Sequence, residues 1–238
     1  MNEMTILPRK PTENNKEYSY RVLYYNIMTM KLPPGTSITE NEVAEQLRIS
    51  RTPVHEALTM LKAEYLVDIV PQSGSSVTLI NLRNVREGLF MRTTLEPAIY
   101  RQLSGCIKSE YLKKMADNLD EASKLITLEE SEEAVDHFIK LDDEFHKLAY
   151  IAAEKPNLWR ATSTVCSHFL RIRYQESILI KKDLSHIYEE HKQLYNYLLL
   201  GGSKAFDLDA FYDNHLFYFK SYFPHILEKY PQYFIIDI

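Results

Sequence analysis

Cysteine is nearly absent from the 238 residues of this chain: Cys106 and Cys166 are the only two. They build no disulfide framework, so the chain is expected in a reducing cytoplasm. No apolar run approaches the ~18 residues needed to cross a bilayer, and the N-terminus carries no signal-peptide pattern. Glycine is scarce at six residues. No Gly/Ser-rich tether separates one half of the chain from the other, so any two domains are expected to be closely coupled. Internal repeats are also lacking. Positive charge is short as well: the net charge is −5, and residues 1–80 hold eight Lys/Arg against nine Asp/Glu. Contact with nucleic acid therefore needs a local basic face, not a bulk field.

What the chain does have is 45% hydrophobic residues, enough for one small and one larger domain. The densest information lies in Ser50-Arg51-Thr52-Pro53-Val54-His55-Glu56-Ala57-Leu58. Ser50 is an N-cap residue, and Pro53 removes a first-turn donor that would have no helical partner. Upstream, Thr39 and Glu42 have capping-box spacing ahead of a helix to Leu47. Before that, Tyr20 to Met30 predicts a first helix with Val22, Leu23, Ile27 and Met28 inward, stopped by Pro33-Pro34-Gly35. Downstream, Val67, Ile69 and Val70, then Val77, Leu79 and Ile80, flank Pro71-Gln72-Ser73-Gly74-Ser75-Ser76 as strand, turn and strand. Helix, turn, helix and a two-stranded wing is how a small domain offers one helix to the DNA major groove. Arg51, Thr52 and His55 project from the start of that helix. Arg48 and the wing's Gly74 complete the expected DNA contacts, and Arg21, Lys31 and Lys62 extend the basic face.

Residues 20–80 resemble the winged helix of GntR-family bacterial regulators. The order is Pro-Gly, Glu-x-x-x-Ala-x-x-Leu, Ser-Arg-Thr-Pro-Val-x-Glu-Ala-Leu, then a glycine wing. The resemblance implies binding to a double-stranded DNA operator. Two positions depart from the family, which usually has arginine where His55 stands and often where Ser73 stands. A neutral imidazole does not make arginine's bidentate pair with guanine, so the family's usual operator sequence does not carry over.

Residues 1–15 are polar and unpatterned and are expected to be flexible, with the head spanning 16–80. Asn81 then caps a mostly α region at 82–230, an antiparallel helical bundle. Its helices are expected at 82–103, 108–127, 131–153, 156–180, 183–200 and 206–229, with Gly201-Gly202 ending the fifth. The tail at 231–238 is β-prone and too apolar to stay exposed, so it should pack on the core or on a partner subunit.

Within this bundle, polar residues recur at core positions. Val135, Ile139, Asp142, His146 and Ala149 share one helical row, which makes Asp142 and His146 an inward i,i+4 pair able to chelate one ion. His191 lies mid-stripe between Leu184, Ile187, Tyr188 and Leu194, Tyr195, Leu198. His215 lies between Leu208, Phe211 and Tyr218, Tyr222. A histidine on an apolar face is commonly a satisfied core residue, and His137, His168, His186 and His225 are read that way. Unpaired buried polar groups cost about 1–3 kcal/mol each, and one metal would satisfy all four of the others.

Residues 82–230 also resemble the FCD ligand-binding domain of the FadR subfamily. Asp142-Asp143-Glu144-Phe145-His146 matches its Asp-x-x-Phe-His motif, Glu190-His191 its Glu-His element, and His215 its last histidine. The resemblance implies a divalent ion, often zinc or nickel, on Asp142, His146, His191 and His215. Arg92 and Glu96 match the domain's Arg-x-x-x-Glu helix. Arg92, with Arg171 and Arg173 as further candidates, would hold a small organic acid effector. The expected protein is a homodimeric, ligand-responsive regulator and no enzyme. Two rivals remain at this point, a metal-dependent hydrolase or oxygenase and a regulator whose metal is purely structural.

Overall fold

The computed structural model describes residues 4–70, 74–126, 131–179, 184–217 and 223–236. The N-terminal part is built from α1 (Asn15–Met28), α2 (Glu40–Leu47) and α3 (Arg51–Ala63). A small sheet of β1 (Ser37–Ile38), β2 (Val67–Val70) and β3 (Gly74–Val77) closes it, in the order β1-β3-β2 and antiparallel throughout. Val22, Leu23, Ile27, Val43, Val54, Leu58 and Leu61 are buried together, as their helical spacing requires. The hairpin tip at 71–73, including Ser73, lies outside the described residues.

Several expectations are corrected here. The first helix begins at Asn15, five residues before Tyr20, under an Asn14/Glu17 capping box. Residues 4–14, read as flexible, are pinned: Met4 is buried, and Thr5 exchanges hydrogen bonds with the Asn26 side chain at 2.7 and 2.9 Å. Arg21, counted toward the basic face, is occupied by Glu13 at 2.6 Å. Thr39 donates to the Glu42 carboxylate at 2.6 Å without capping the backbone. Ser50 has the extended N-cap conformation but makes no capping bond, which leaves the exposed first turn of α3 to outside partners.

Leu79 and Ile80 do not extend the hairpin. Ile80 is fully buried in the second core and forms β4 (Ile80–Asn81), which pairs in parallel with β5 (Phe234–Ile235). The apolar tail is thus partly consumed by the chain's own sheet. Between these strands run α4 (Leu82–Leu103), α5 (Ser109–Leu125), α6 (Glu132–Ala152), α7 (Pro156–Val165), α8 (Ser167–Leu179), α9 (Ser185–Leu199), α10 (Leu208–Phe217) and α11 (Phe223–Lys229). The helix expected at 156–180 is two, broken at Cys166 where α4 comes close. A Cβ at Gly88 would sit 3.0 Å from the Cys166 sulfur. The stretch 218–222 of the expected sixth helix, with Tyr218 and Tyr222, lies outside the described residues, as do the side chains of 176–183. No helix among the described residues is long and apolar enough to cross a membrane.

The two parts share apolar packing: Val135 and Ile139 of α6 and Tyr174 of α8 belong to the N-terminal core. Lys31 reaches Glu132 at 2.7 Å across the boundary, so it too is withdrawn from any basic face.

Candidate metal centre and DNA-facing helix

Helices α6, α9 and α10 deliver His146, His191 and His215 to one point, with a donor atom from each within 4.8 Å of the others. Their side chains are 1%, 4% and 5% exposed. His146 and His215 face each other through Nε2 at 3.3 Å. Behind His215, Nδ1 meets the Glu190 carboxylate at 2.6 Å. Behind His146, Nδ1 lies 2.9 Å from Glu96 Oε2, close enough for an ion pair though out of line for a hydrogen bond. A carboxylate at each Nδ1 favours the proton there and leaves the Nε2 lone pairs turned toward each other. Two lone pairs at that separation repel unless a cation stands between them. His191 Nε2 is buried with no hydrogen-bond partner, and its ring stacks on Phe145 at 4.6 Å, which fixes its aim. Burial lowers the pKa of both His191 and His146, against the pull of Asp142 and Glu96 respectively, and neutral imidazole is the form that ligates a metal. The donor set fits a divalent ion.

Asp142, the expected fourth ligand, reaches this cluster through Oδ1, 3.4 Å from His191 Nε2, while Oδ2 pairs with Arg173 at 2.8 Å. Burial would raise its pKa, but Arg173, His191, His146 and Arg92 outweigh that and hold it well below the carboxylate range. Arg92 is buried and donates through Nε to Glu96 at 2.5 Å. Burial likewise opposes the charge on Glu96, and Arg92 followed by His146 overcomes it. Arg92, paired with Glu96, and Arg173, paired with Asp142, line a cavity of about 70 Å³, whose walls also include Asp143, Thr162, Trp159 and, from α1, Tyr24.

Arg171 does not belong with these two. It is fully buried on another side of α8 and donates to the Thr78 and Leu79 carbonyls at 2.7 and 3.4 Å. Two residues apart on a helix, Arg171 and Arg173 cannot share a face. His168, read as an ordinary core residue, works beside it by accepting the Asn81 amide at 3.1 Å. Burial and then Arg171 push its pKa down to about 3, which keeps that nitrogen an acceptor. Both residues clasp the segment joining the two parts.

On the N-terminal part, Arg51, Thr52 and His55 are exposed on the first turns of α3, and Arg48 is exposed at the left-handed C-cap of α2. Gly74 opens β3 with φ +98°, a value that disfavours side chains. Glu40, which no sequence motif singles out, bonds Arg51 at 3.1 Å and His55 Nδ1 at 2.8 Å. Its pKa is lowered, by His55 first. An acidic residue on a polar face has no periodicity to betray it.

The profile of "Bacterial regulatory proteins, gntR family" matches residues 20–77, and the FCD domain profile matches 87–205. The HTH-type transcriptional repressor RspR of Escherichia coli is 32% identical over 164 residues, 69% of this chain and 70% of that protein. The chain belongs to the GntR family. Among solved structures, E. coli McbR/YncC superposes with TM-score 0.68 at 18% identity, covering 92% of this chain and all of that one. A GntR regulator from Rhodococcus sp. RHA1, described as putative, gives 0.65 at 17% identity, covering 90% and 97%. This GntR protein is therefore a bacterial DNA-binding transcriptional regulator. Its relatives and fold neighbours are regulators and not enzymes, so the hydrolase or oxygenase alternative falls away. The FCD match takes in Asp142, His146 and His191 and ends before His215, which the fold brings to the other two histidines.

Proposed function

We propose that this regulator is a homodimeric repressor whose operator affinity is set by a small carboxylate effector bound near a divalent ion, zinc or nickel. Asp142, His146, His191 and His215 hold the ion. The observation that supports this reading is the convergence of three buried imidazoles, two of them with a carboxylate behind the ring. One carboxylate and three neutral imidazoles leave a divalent ion net positive, so an anionic oxygen ligand completes it. Arg92 and Arg173 supply the cationic wall that orients the acid. Arg171 is left out of this set because it is held on the Thr78–Leu79 backbone and does not line the cavity.

DNA is read by Arg51, Thr52 and His55, with Arg48 and the wing at Gly74 against the backbone. Paired heads follow because one helix covers only a few base pairs. Phe90, 72% exposed on α4 beside Met91 and Val165, offers apolar surface for a second copy to cover. Replacing Arg51 with alanine is expected to weaken operator binding by roughly 1–3 kcal/mol. Glu40→Gln is expected to do the opposite, because it removes the carboxylate that competes with phosphate for Arg51 and His55. A salt-controlled mobility-shift titration checks both, and unchanged binding by the Arg51 variant would take it out of the contact set.

The effector reading is tested with hydroxy, keto and dicarboxylic acids, first by thermal shift and then by operator release. At least one is expected to raise the melting temperature and alter operator affinity. A metal-loaded dimer that ignores all of them would assign the ion a structural role alone.

A further inference from the structure

The cavity lined by Arg92 and Arg173 is not confined to the FCD part. Tyr24, which forms part of its wall, sits on α1 of the DNA-binding head. The Tyr24 ring stacks on Tyr20 one turn earlier, centroids 5.7 Å apart and planes 27° from parallel. The Tyr20 hydroxyl in turn donates to the Glu64 carboxylate, with oxygens at 2.7 and 2.9 Å. Glu64 is the C-cap of α3, the helix that carries Arg51, Thr52 and His55 at its other end. A continuous row of packed and hydrogen-bonded side chains therefore runs from the cavity wall to the DNA-facing helix.

Size gives this row a task. About 70 Å³ is the room of two or so water molecules, at ~30 Å³ each, or of one carboxylate group. An acid with a longer body, held by Arg92 and Arg173, extends beyond that room and against the side chains that line it. Most of the lining belongs to α4, α6, α7 and α8, packed within one bundle, whereas Tyr24 belongs to a different part of the fold. We infer that Tyr24 is a positioning residue shared between effector pocket and head, and that Tyr24, Tyr20 and Glu64 carry occupancy of the cavity to α3. The inference rests on the effector reading above and adds the route by which the acid acts. The acid presses on the head itself, so the signal does not have to cross the metal centre or the Arg171 clasp.

The chain supplies its own reporter, because its single tryptophan, Trp159, lines this cavity. Glycolate, malate and gluconate, with two, four and six carbons, are titrated into the metal-loaded protein while Trp159 emission is followed. Operator affinity is then measured with and without each acid. In the wild type a saturable emission change is expected with at least one acid, with operator affinity shifted about 5–150-fold, a usual span for coupled sites. Tyr20→Phe, which removes only the hydroxyl that reaches Glu64, is expected to keep the emission change and lose most of the operator shift. Tyr24→Phe, which keeps the ring, should retain the shift, and Tyr24→Ala should abolish it. A full operator shift in both Tyr20→Phe and Tyr24→Ala overturns the relay and leaves the effector reading standing. An operator shift with Trp159 silent overturns this cavity as the pocket, and silence in both measurements overturns the inference and the effector reading together.

Discussion

A His146→Ala/His191→Ala variant is expected to lose its divalent ion and to melt at a lower temperature than the wild type. An ion that binds only the native state stabilises it by RT ln(1 + [L]/Kd), about 4 kcal/mol at a thousandfold excess over Kd. Emptying two buried ring sites costs stability by itself, so the variant alone does not isolate the metal's share. A chelator does. Wild-type protein should drop in melting temperature when dialysed against one, and the double variant should not. Mass spectrometry of the dialysed proteins counts the ion directly. Full occupancy in the double variant would place the metal elsewhere, since Asp142 and His215 alone do not make a tight site. Within the proposed set, Asp142 has a competing attachment: its Oδ2 already pairs with Arg173. Asp142→Asn should therefore weaken the ion less than either histidine change.

The histidine cluster was legible because helical period is a strong constraint. Once Phe138, Leu141, Phe145 and Leu148 define the core side of α6, the inward direction of Asp142 and His146 follows from a 3.6-residue turn. Helices α2 and α3 were legible for a similar reason, since Thr39, Ser50 and Pro53 mark their starts even though neither hydroxyl caps the backbone. Other features rest on contacts that no local pattern records. Met4 and Thr5 are held by α1, a partner some twenty residues away, so a polar N-terminal stretch read as flexible is instead packed. The break at Cys166 lies where Gly88 of α4, nearly eighty residues distant, packs against it. The three arginines are an intermediate case. Spacing alone separates Arg171 from Arg173, but that Arg171 clasps the segment at 78–81 depends on where that segment runs. Tyr24 belongs in the same category: its place on α1 could be read from the sequence, but not its place in the cavity wall.

Glu96→Ala is expected to be among the most damaging single changes in the regulatory part, at about 3–5 kcal/mol, because it leaves the buried charge of Arg92 without a partner. Arg92 is 5% exposed and Glu96 1%, so water cannot take over. The pair is also a bridge, since both Glu96 oxygens accept from Arg92 and Oε2 also faces His146 Nδ1. Losing it should weaken the metal as well, by roughly 10–100-fold for a carboxylate behind a ligating histidine. The two effects separate in an Arg92→Leu/Glu96→Leu variant, which removes both charges together. Its stability should recover most of the loss while its metal affinity stays low. The dependence on pH has a definite sign. Glu96 is held below its ordinary pKa in the folded protein, so its contribution is complete above the ordinary carboxylate range. That contribution fades as pH falls toward the lowered value, which places it on the acid limb of unfolding. Denaturant titrations at neutral and acidic pH read both predictions. A Glu96→Ala protein within about 1 kcal/mol of wild type would mean that Arg92 finds another counter-charge, with Asp142 and Asp143 the nearest candidates.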